Sequence, residues 1–570
     1  MIFDLEADGL VPTKIHCIAI DGTVYTDIDR DAEILGTASV IVGHNIIGYD
    51  IPAIQKFYPY FNPSNVVDTL VLSRLIFPDM LDRDMIRKDY PRKLVGRHSL
   101  EAWGHRLGLH KGDYDGGWEV CSQEMLDYCL QDVAVTSKLY EKLLAEDFSK
   151  ESILLEHQVA QIIKEQQTLG FAFDTRKAQQ LSATLADRRE QIKRLLAVVF
   201  LDWEIRTPFI PKVNNKTRGY VKGVEIDKVK VITFNPGSRD HVANRLQVLK
   251  GWKPKAFTPD GKPKIDEAVL SKLDYPEAKL LSEYYMVQKR IGQISEGNQA
   301  WLKHEVNGRI HGAVNTNGAV TGRATHFNPN IAQCPAIGVP YGEDCRSLFI
   351  TTKGRVLVGI DLSGLELRCL AHYMHPFDEG AYAKEVIEGD IHVVNQKAAG
   401  LATRAEAKTF IYALIYGAGA LKMGQIVGAG VKAGSAIRQK FLDATPALGT
   451  LMKNVQRASS RGFVFGIDGR KIKIRHQHSS LNALLQNCGA VLCKQFIVEF
   501  DKLLLDKDLK SKASQVAWIH DEIQVECDPE IADDIGKLAL EAIDKAGKYF
   551  KFRLPLTGEY NVGSNWAETH

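Results

Sequence analysis

The chain opens on an alternation of period two. Ile2-Phe3-Asp4-Leu5-Glu6 sets apolar residues against acids, so a strand here places Asp4 and Glu6 on one face. Ile15–Ile20 and Ser39–Val42 read as further strands, and helical spacing runs through Val66–Leu75 and Glu124–Leu143, which predicts an α/β domain ending near residue 150. From Ser152, apolar Ile153, Val159, Ile162, Ile163 and Leu169 keep helical spacing, with Gly170 as a helix stop. Residues 204–264 interrupt this helical region with Pro208, Pro211, Gly219, Gly223, Pro236 and Gly237, and read as an exposed basic insertion with short turns. Helical periodicity resumes from Asp266 to Ile294. After residue 308, Gly-rich loops lead into a strand, Arg355–Asp361, followed by helix-like Gly364–Tyr373. Residues 391–460 read as mostly helical, and Gln515–Ile519 and Ile523–Cys527 as two strands meeting at His520-Asp521-Glu522.

At about 150 residues per domain, 570 residues imply three or four domains. With 45% apolar and 25% charged residues the composition is that of a globular protein, which argues against disorder, collagen-like repeats and coiled coil. The net charge of +2 does not announce a polyanionic partner, but its distribution is uneven. Residues 1–60 hold nine acids against three bases, whereas residues 206–264 hold fourteen Lys and Arg against Glu225, Asp227, Asp240 and Asp260. One segment attracts cations and another attracts polyanions. The nine cysteines form no C-x-x-C pair, which points away from a disulfide framework or zinc finger and towards a reducing compartment. No apolar run approaches the roughly 20 residues of a membrane span, and the acidic start is unlike a signal peptide, so a cytoplasmic location without membrane attachment is expected.

Four acids and a tyrosine form the first chemical constellation. Asp4 and Glu6 precede Asp50 in GHNIIGYDIP, and Tyr128 and Asp132 fall four apart on one helical face. Two divalent metals about 3.5–4 Å apart require shared carboxylates of this kind to activate a water and stabilise a phosphodiester's leaving oxygen. Any one of these acids alone is an ordinary surface charge. Taken in order, D-x-E on a strand, Asn45 and Asp50 after Gly-His, and Y-x3-D on a helix resemble the proofreading 3′–5′ exonucleases of the DEDD type, in their tyrosine-containing subclass, over roughly residues 1–145.

The second constellation spans residues 321–527. Arg404, Lys408, Tyr412 and Tyr416 recur every fourth residue, two cations then two rings, a stripe suited to a triphosphate and a stacked base or else to a solvated helix with a buried aromatic end. Asp361 ends an apolar strand and Asp521 sits at a hairpin tip, where two distant carboxylates can meet to hold metals for nucleotidyl transfer. Glu366 fits a capping box with Ser363. His392 in GDIHVVNQ is either a phosphate contact or a packed histidine, and Glu522 either a further catalytic acid or an exposed turn acid.

DLSGLELR, R-x3-K-x3-Y-x3-YG and HDE resemble motifs A, B and C of family A DNA polymerases, and the exonuclease motifs ahead of them complete that family's order. GDIHVVNQ, TRAEAKTFIYALIYGAG and VAWIHDEIQVEC look closest to replicative polymerases of short-tailed bacteriophages. The resemblance implies an α/β and α+β multidomain fold: an RNase H-like exonuclease domain (1–150), a thumb (151–308, with the basic insertion), palm (309–385 and 469–570) and fingers (386–468). It implies two Mg²⁺ ions per active site, with Mn²⁺ as a substitute. These would be held in one site by Asp361, Asp521 and the Leu362 carbonyl, and in the other by Asp4, Glu6, Asp50 and Asp132, with Tyr128 orienting the attacking water. Arg404, Lys408 and His392 would hold the triphosphate, Tyr412 would stack near the sugar and base, Glu366 would exclude a ribose 2′-OH, and Tyr416 would lie by the templating base. Arg323, Asn330, Gln333, Asn482, Gln486 and His520 would contact DNA.

Two departures stand out. Gly364 occupies a motif A position where bacterial members often carry Gln, and the stretch Arg206–Lys230 is much shorter than the insertion with which related phage enzymes recruit host thioredoxin, which argues against that partner. The remaining implied partners are primer–template DNA, deoxynucleotides, a helicase–primase and a single-strand binding protein, in an infected bacterial cell. The rival readings are a nuclease with a decayed polymerase half and a non-catalytic DNA scaffold. The intact acids at both sites weigh against each, since buried unpaired carboxylates are costly without compensation.

Overall fold

The computed structural model describes residues 1–112 and 114–570. The chain forms two compact units: Met1–Ala172, His311–Gln333 and Ile350–His570 make the first, and Phe173–Ile310 with Cys334–Phe349 the second. Among the described residues no helix is long and apolar enough to cross a membrane.

In the first unit, Thr23–Tyr25, Ile15–Ile20 and Phe3–Ala7 pair antiparallel in that order, and the parallel bridge Ile2↔Val42 joins them to the parallel pair Ile41–Gly43 and Val66–Asp68. Alternation sorts the first strand as the sequence pattern requires. Phe3 and Leu5 enter a core with Ile18, Leu35, Ile51, Ile54 and Phe61, while Asp4 and Glu6 face the helix Gln123–Leu144, whose Cys129 thiol donates to the Asp4 carbonyl. The helix expected over Val66–Leu75 begins only at Thr69. Val66–Asp68 is a strand because β-branched Val66 and Val67 complete the parallel ladder, and Asp68 then caps the helix through Leu70 N–H.

A second sheet in this unit orders Ala513–Ile519, Glu522–Cys527, Val356–Leu362 and Gly558–Gly563, all antiparallel. The 27-residue helix Ser480–Asp506 and the helix Ala532–Tyr549 build one large apolar core with it. The boundary expected at residue 150 falls between Gln123–Leu144 and Lys150–Leu169. The compact unit nevertheless runs on to Ala172, because Lys150–Leu169 packs on the helix Thr69–Ile76 as well as on Ser480–Asp506.

The second unit packs the helices Thr175–Val199 and Pro276–Ile291 together. Its basic segment is not a set of short turns. Trp203–Phe209 and Ile226–Ile232 form a seven-pair antiparallel hairpin, in which Pro208 is tolerated because a two-stranded ribbon leaves one edge of each strand unpaired. The helix expected over Asp266–Ile294 is interrupted, with Glu267–Leu270 ending before Pro276 opens the next helix at its first turn, where a missing N–H costs nothing.

Candidate active sites

The N-terminal acids converge in an open cleft of about 510 Å³ lined by Asp4, Glu6, Asp50, Tyr128 and Asp132. Asp4 and Glu6 come from the first strand. Asp50 opens the helix Asp50–Phe57 and accepts the Leu5 N–H at 3.2 Å, and Tyr128 and Asp132 project from successive turns of Gln123–Leu144. Burial first, then the charges of Asp132, Asp50 and Glu6, raise Asp4 well above the usual carboxylate range. Glu6 is pushed up to about 8 by burial and then by Asp132, and Asp50 to about 7 chiefly by burial. Carboxylates that crowd one another this way ionise readily only when a cation neutralises them, and an all-oxygen donor set of this kind suits a hard divalent ion.

Two residues that shape this cleft, Lys111 in its lining and Asp68 behind it, carried no sequence signal. Lys111 forms an ion pair with Asp132 and stands 4.5 Å from the centre of the Tyr128 ring, holding the acid and the tyrosine in one place. Asp68 collects the N–H groups of Asn45 and Ile47 at 2.9 and 3.1 Å, shaping the loop that delivers Asp50. A lone lysine and a strand-end aspartate have no spacing pattern to betray them.

In the second sheet, Asp361 pairs in register with Glu522 and Glu559, and the Leu362 N–H donates to the Asp521 carbonyl at 3.2 Å, so the strand end and the hairpin tip are locked side by side. His520 takes φ +59° at that tip. Burial, then Asp521 and Glu522, push Asp361 up to about 7, and burial also raises Asp521. Glu522 is not an exposed turn acid. It is 4% exposed, accepts from Trp566 Nε1 and Gln524 Nε2, and pairs with His570 Nδ1 at 2.9 Å.

The capping box expected of Ser363 and Glu366 does not form. The Ser363 N–H donates to the Thr557 carbonyl, and the cap of the helix Leu365–Asp378 falls one residue later, on Gly364 (φ +59°), which puts Glu366 out of register with a capping box. Its carboxylate instead accepts from the Tyr416 hydroxyl and, at 3.2 Å, from Arg323. Gly364, with no side chain, makes this left-handed turn without strain.

The helix Arg404–Ile415 begins with a capping box between Thr403 and Glu406, and Tyr416 is the residue immediately after it. Lys408 is exposed on this helix and Tyr412 half-buried, with the His392 ring 6.4 Å from that of Tyr412. Arg404 is paired with Asp390 at 2.7 Å. A cavity of about 260 Å³ beside the acids is lined by Arg323, Glu366, Tyr416, His520 and Asp521. Asn482 and Gln486 lie one turn apart on Ser480–Asp506. Asn330 precedes the turn Ile331–Gln333, and the side-chain oxygens of Asn330 and Asn482 are buried without a hydrogen-bond partner among the described residues.

A model of DNA polymerase family A matches residues 212–568. The DNA-directed DNA polymerases of Enterobacteria phage T3 and Escherichia phage T7 are each 39% identical to this chain, with all of both chains covered. That of Escherichia phage Phieco32 is 28% identical over 87% of this chain and 91% of its own. The T3 alignment spans 705 positions against 570 residues here, so about 135 positions are gaps in this chain. Among solved structures, the POL domain of Pol1 from M. smegmatis, in complex with DNA primer–template and dNTP, superposes with a TM-score of 0.75 at 17% identity, covering 100% of this chain and 96% of that one. With two sheets each delivering a cluster of acids, and with relatives aligned from end to end, the chain belongs to DNA polymerase family A.

Proposed function

We propose that this protein is a template-directed DNA polymerase that proofreads its product with a 3′–5′ exonuclease. The observation that carries the reading is the junction of Asp361 and Asp521, two carboxylates 160 positions apart in the chain, locked together beside Glu366 and Tyr416. Both acid clusters fit divalent ions, taken to be two Mg²⁺ per site, which when bound promote attack by a 3′-oxygen or a water and stabilise the leaving oxygen. Asp361, Asp521 and the Leu362 carbonyl hold them in the polymerase site, and Asp4, Glu6, Asp50 and Asp132 in the exonuclease site. Glu522, already engaged by Trp566 and Gln524, braces its neighbours rather than reaching a metal.

Arg404, Lys408 and His392 bind the triphosphate, for which Arg404 must leave its exposed pair with Asp390, an exchange of small cost. Glu366 blocks the 2′ position of the incoming sugar, Tyr412 packs against that sugar and its base, and Tyr416 marks the template side. Arg323, Asn330, Gln333, Asn482, Gln486 and His520 contact primer and template. Tyr128, held by Lys111, orients the water that cleaves a misplaced nucleotide. In this reading residues 1–150 are the exonuclease domain, 151–308 the thumb, 309–385 and 469–570 the palm and 386–468 the fingers, working in the cytoplasm of an infected bacterium beside a helicase–primase and a single-strand binding protein. The short basic stretch Arg206–Lys230 fits a thumb that works without thioredoxin.

Primer extension with Mg²⁺ and deoxynucleotides tests the assignment. Asp361→Ala or Asp521→Ala abolishes extension while duplex binding survives, and Asp4→Ala with Glu6→Ala abolishes single-strand digestion while extension continues. Near-normal extension by Asp361→Ala sinks the polymerase assignment, and equal loss of both activities in the Asp4/Glu6 variant sinks the division between the sites.

A further inference from the structure

The short hairpin of Phe463–Phe465 and Lys471–Lys473 sets Phe463 opposite Lys473, Val464 opposite Ile472 and Phe465 opposite Lys471. Alternation sends Val464 and Ile472 into the large apolar core and leaves both phenylalanines and both lysines on the outer face. Arg461, in the turn that enters the hairpin, lies across both rings, 4.9 Å from the centre of Phe463 and 5.1 Å from that of Phe465. The hairpin is held at both ends. At its tip the Ser149 hydroxyl donates to the Asp468 carbonyl at 2.5 Å, and at its base the Ile474 N–H donates to the Gly462 carbonyl at 2.9 Å.

Two phenylalanines under an arginine can be no more than a small apolar cluster at the surface. The core, however, takes Val464 and Ile472 from this hairpin and makes no demand on the outer face, where Phe465 remains 48% exposed. The charge is also one-sided. Arg461 and Lys473 make no ion pair among the described residues, and Lys471 pairs at 3.3 Å with Asp147, whose side chain stands fully in solvent, a weak contact. Asp468, the acid at the hairpin tip, is buried and engaged by Arg470 at 2.7 Å. Ring faces beside unpaired cations suit a single-stranded nucleic acid, since a ring or a guanidinium plane stacks any base and the cations meet the phosphates. An acidic peptide would use the cations and leave the rings idle.

The chain leaving the hairpin runs towards the polymerase site. Beyond Lys473 it carries His476 and His478, both exposed, their rings stacked at 5.4 Å with planes 11° apart. His478 lines a cavity of about 160 Å³ together with Gly417, the residue after Tyr416. We propose that the outer face of this hairpin holds the unpaired template strand ahead of the insertion site, with Phe463 and Phe465 stacking its bases and Arg461, Lys471 and Lys473 meeting its phosphates. The identity of the strand rests on the reading above that Tyr416 marks the template side.

The test uses the full chain carrying Asp4→Ala and Glu6→Ala, which spares the primer, and measures binding of primer–templates whose template overhang is one nucleotide or about ten, the span of one single-strand site. The long overhang should bind more tightly. Phe463→Ala with Phe465→Ala should cut that gain roughly ten-fold, and Phe465→Ala alone, a change at an exposed ring that leaves the inner face of the hairpin intact, should remove part of it. Binding of the short overhang should stay within about two-fold. Phe465→Trp should keep the gain, and an overhang of abasic sites should lower it in the parent but no further in the double alanine variant. Arg461→Ser with Lys473→Ser should flatten the salt slope of long-overhang binding by about 1.4, at about 0.7 per single-strand contact. A gain that survives these substitutions overturns the proposal, and so does an equal fall for both overhangs, which would show damage to the duplex grip. Loss of poly-glutamate binding in the variants with the overhang gain unchanged overturns it too, and gives the face to an acidic partner. A gain conferred instead by an unpaired tail at the other end of the duplex, and lost in the same variants, refutes the placing of the template beside Tyr416 on which the proposal rests.

Discussion

Lys494 and Glu156 meet as a buried ion pair, and the same ammonium donates to the Gly322 carbonyl at 2.8 Å. Arg470 joins them, bonding Glu156 at 2.8 Å and Asp468 at 2.7 Å, so two cations and two anions balance with no help from solvent. Asn487 holds the adjacent Thr321 carbonyl at 3.0 Å. The helix Ser480–Asp506 thereby grips, from residues two turns apart, the turn that presents Arg323 to Glu366.

Removing one partner of such a cluster leaves a buried charge uncompensated, at a cost of about 3–5 kcal/mol. Glu156→Gln should therefore lower stability by that order in urea unfolding of the first unit, whereas Glu151→Gln, an exposed change on the same helix, should move it by less than about 0.5 kcal/mol. Equal effects from the two would show that the cluster contributes nothing beyond surface charge.

The Glu366 carboxylate holds Tyr416 and Arg323 together and stands where the incoming sugar must pass in the proposed reaction. Glu366→Ala should open that space and raise the ribonucleotide-to-deoxynucleotide incorporation ratio about ten-fold or more, equivalent to about 1.4 kcal/mol of lost discrimination. Competitive single-nucleotide insertion measures it, and a ratio unmoved from wild type removes Glu366 from sugar selection.

Much of this was legible in the chain. The strands bearing Asp4 and Asp361, the hairpin of Asp521 and the helix of Arg404 and Tyr412 follow from local periodicity, and the acids are grouped by the order of their motifs and the resemblance those motifs carry; Glu522, read as part of the turn, instead opens the second strand of the hairpin. What escaped did so for identifiable reasons. Glu156 and Lys494 lie 338 residues apart, and nothing local in either neighbourhood marks a buried pair. Ser363 and Glu366 have the spacing of a capping box, yet the neighbouring strand takes the Ser363 N–H and the left-handed Gly364 shifts the helix start by one residue. The basic segment reads as turns because prolines and glycines dominate it, although cross-strand pairing over seven registers outweighs them.

Tyr412 is half-buried, and among the described residues its hydroxyl has no hydrogen-bond partner, so it is available to a nucleotide. That hydroxyl can replace the missing 3′-OH of a dideoxynucleotide, which phenylalanine cannot. A hydrogen bond to a charged group is worth about 1.5–3 kcal/mol, so Tyr412→Phe should cut dideoxynucleotide incorporation relative to deoxynucleotide by roughly 10- to 150-fold. Equal termination by both forms refutes the contact.

The raised carboxylates set a pH dependence with a definite sign. Glu6 at about 8, and Asp50 and Asp361 at about 7, all lie above the ordinary carboxylate value. Their contribution to folding is full below about pH 4 and is lost as pH rises through 7–8, where the folded state must carry the crowded charges. Divalent ions bind the ionised form. Mg²⁺ should therefore raise the melting temperature more at pH 8 than at pH 6, and Asp4→Ala with Glu6→Ala should shrink that difference. A Mg²⁺ effect independent of pH would show that these acids do not hold the metal.

The basic hairpin supplies the last test, and the structure decides which of its cations to change. Arg206 is engaged by Glu204 at 3.0 Å, and the Lys228 ammonium lies 3.4 Å from the centre of the Phe209 ring, so both are partly committed within the hairpin. Lys212, Lys216, Arg218 and Lys222 are exposed beyond the paired strands and make no ion pair among the described residues. Each duplex phosphate they neutralise releases counterions and adds about −0.9 to the slope of log affinity against log salt. Changing these four to Ser should flatten the slope by roughly two to three units if most of them touch DNA, and should shorten products more than it slows a single addition. Changing Arg206 and Lys228 should have less effect, since their charges are already partnered. An unchanged salt slope with unchanged product length would place the hairpin off the DNA, and a large gain in product length on adding thioredoxin would make it a docking element for that protein instead.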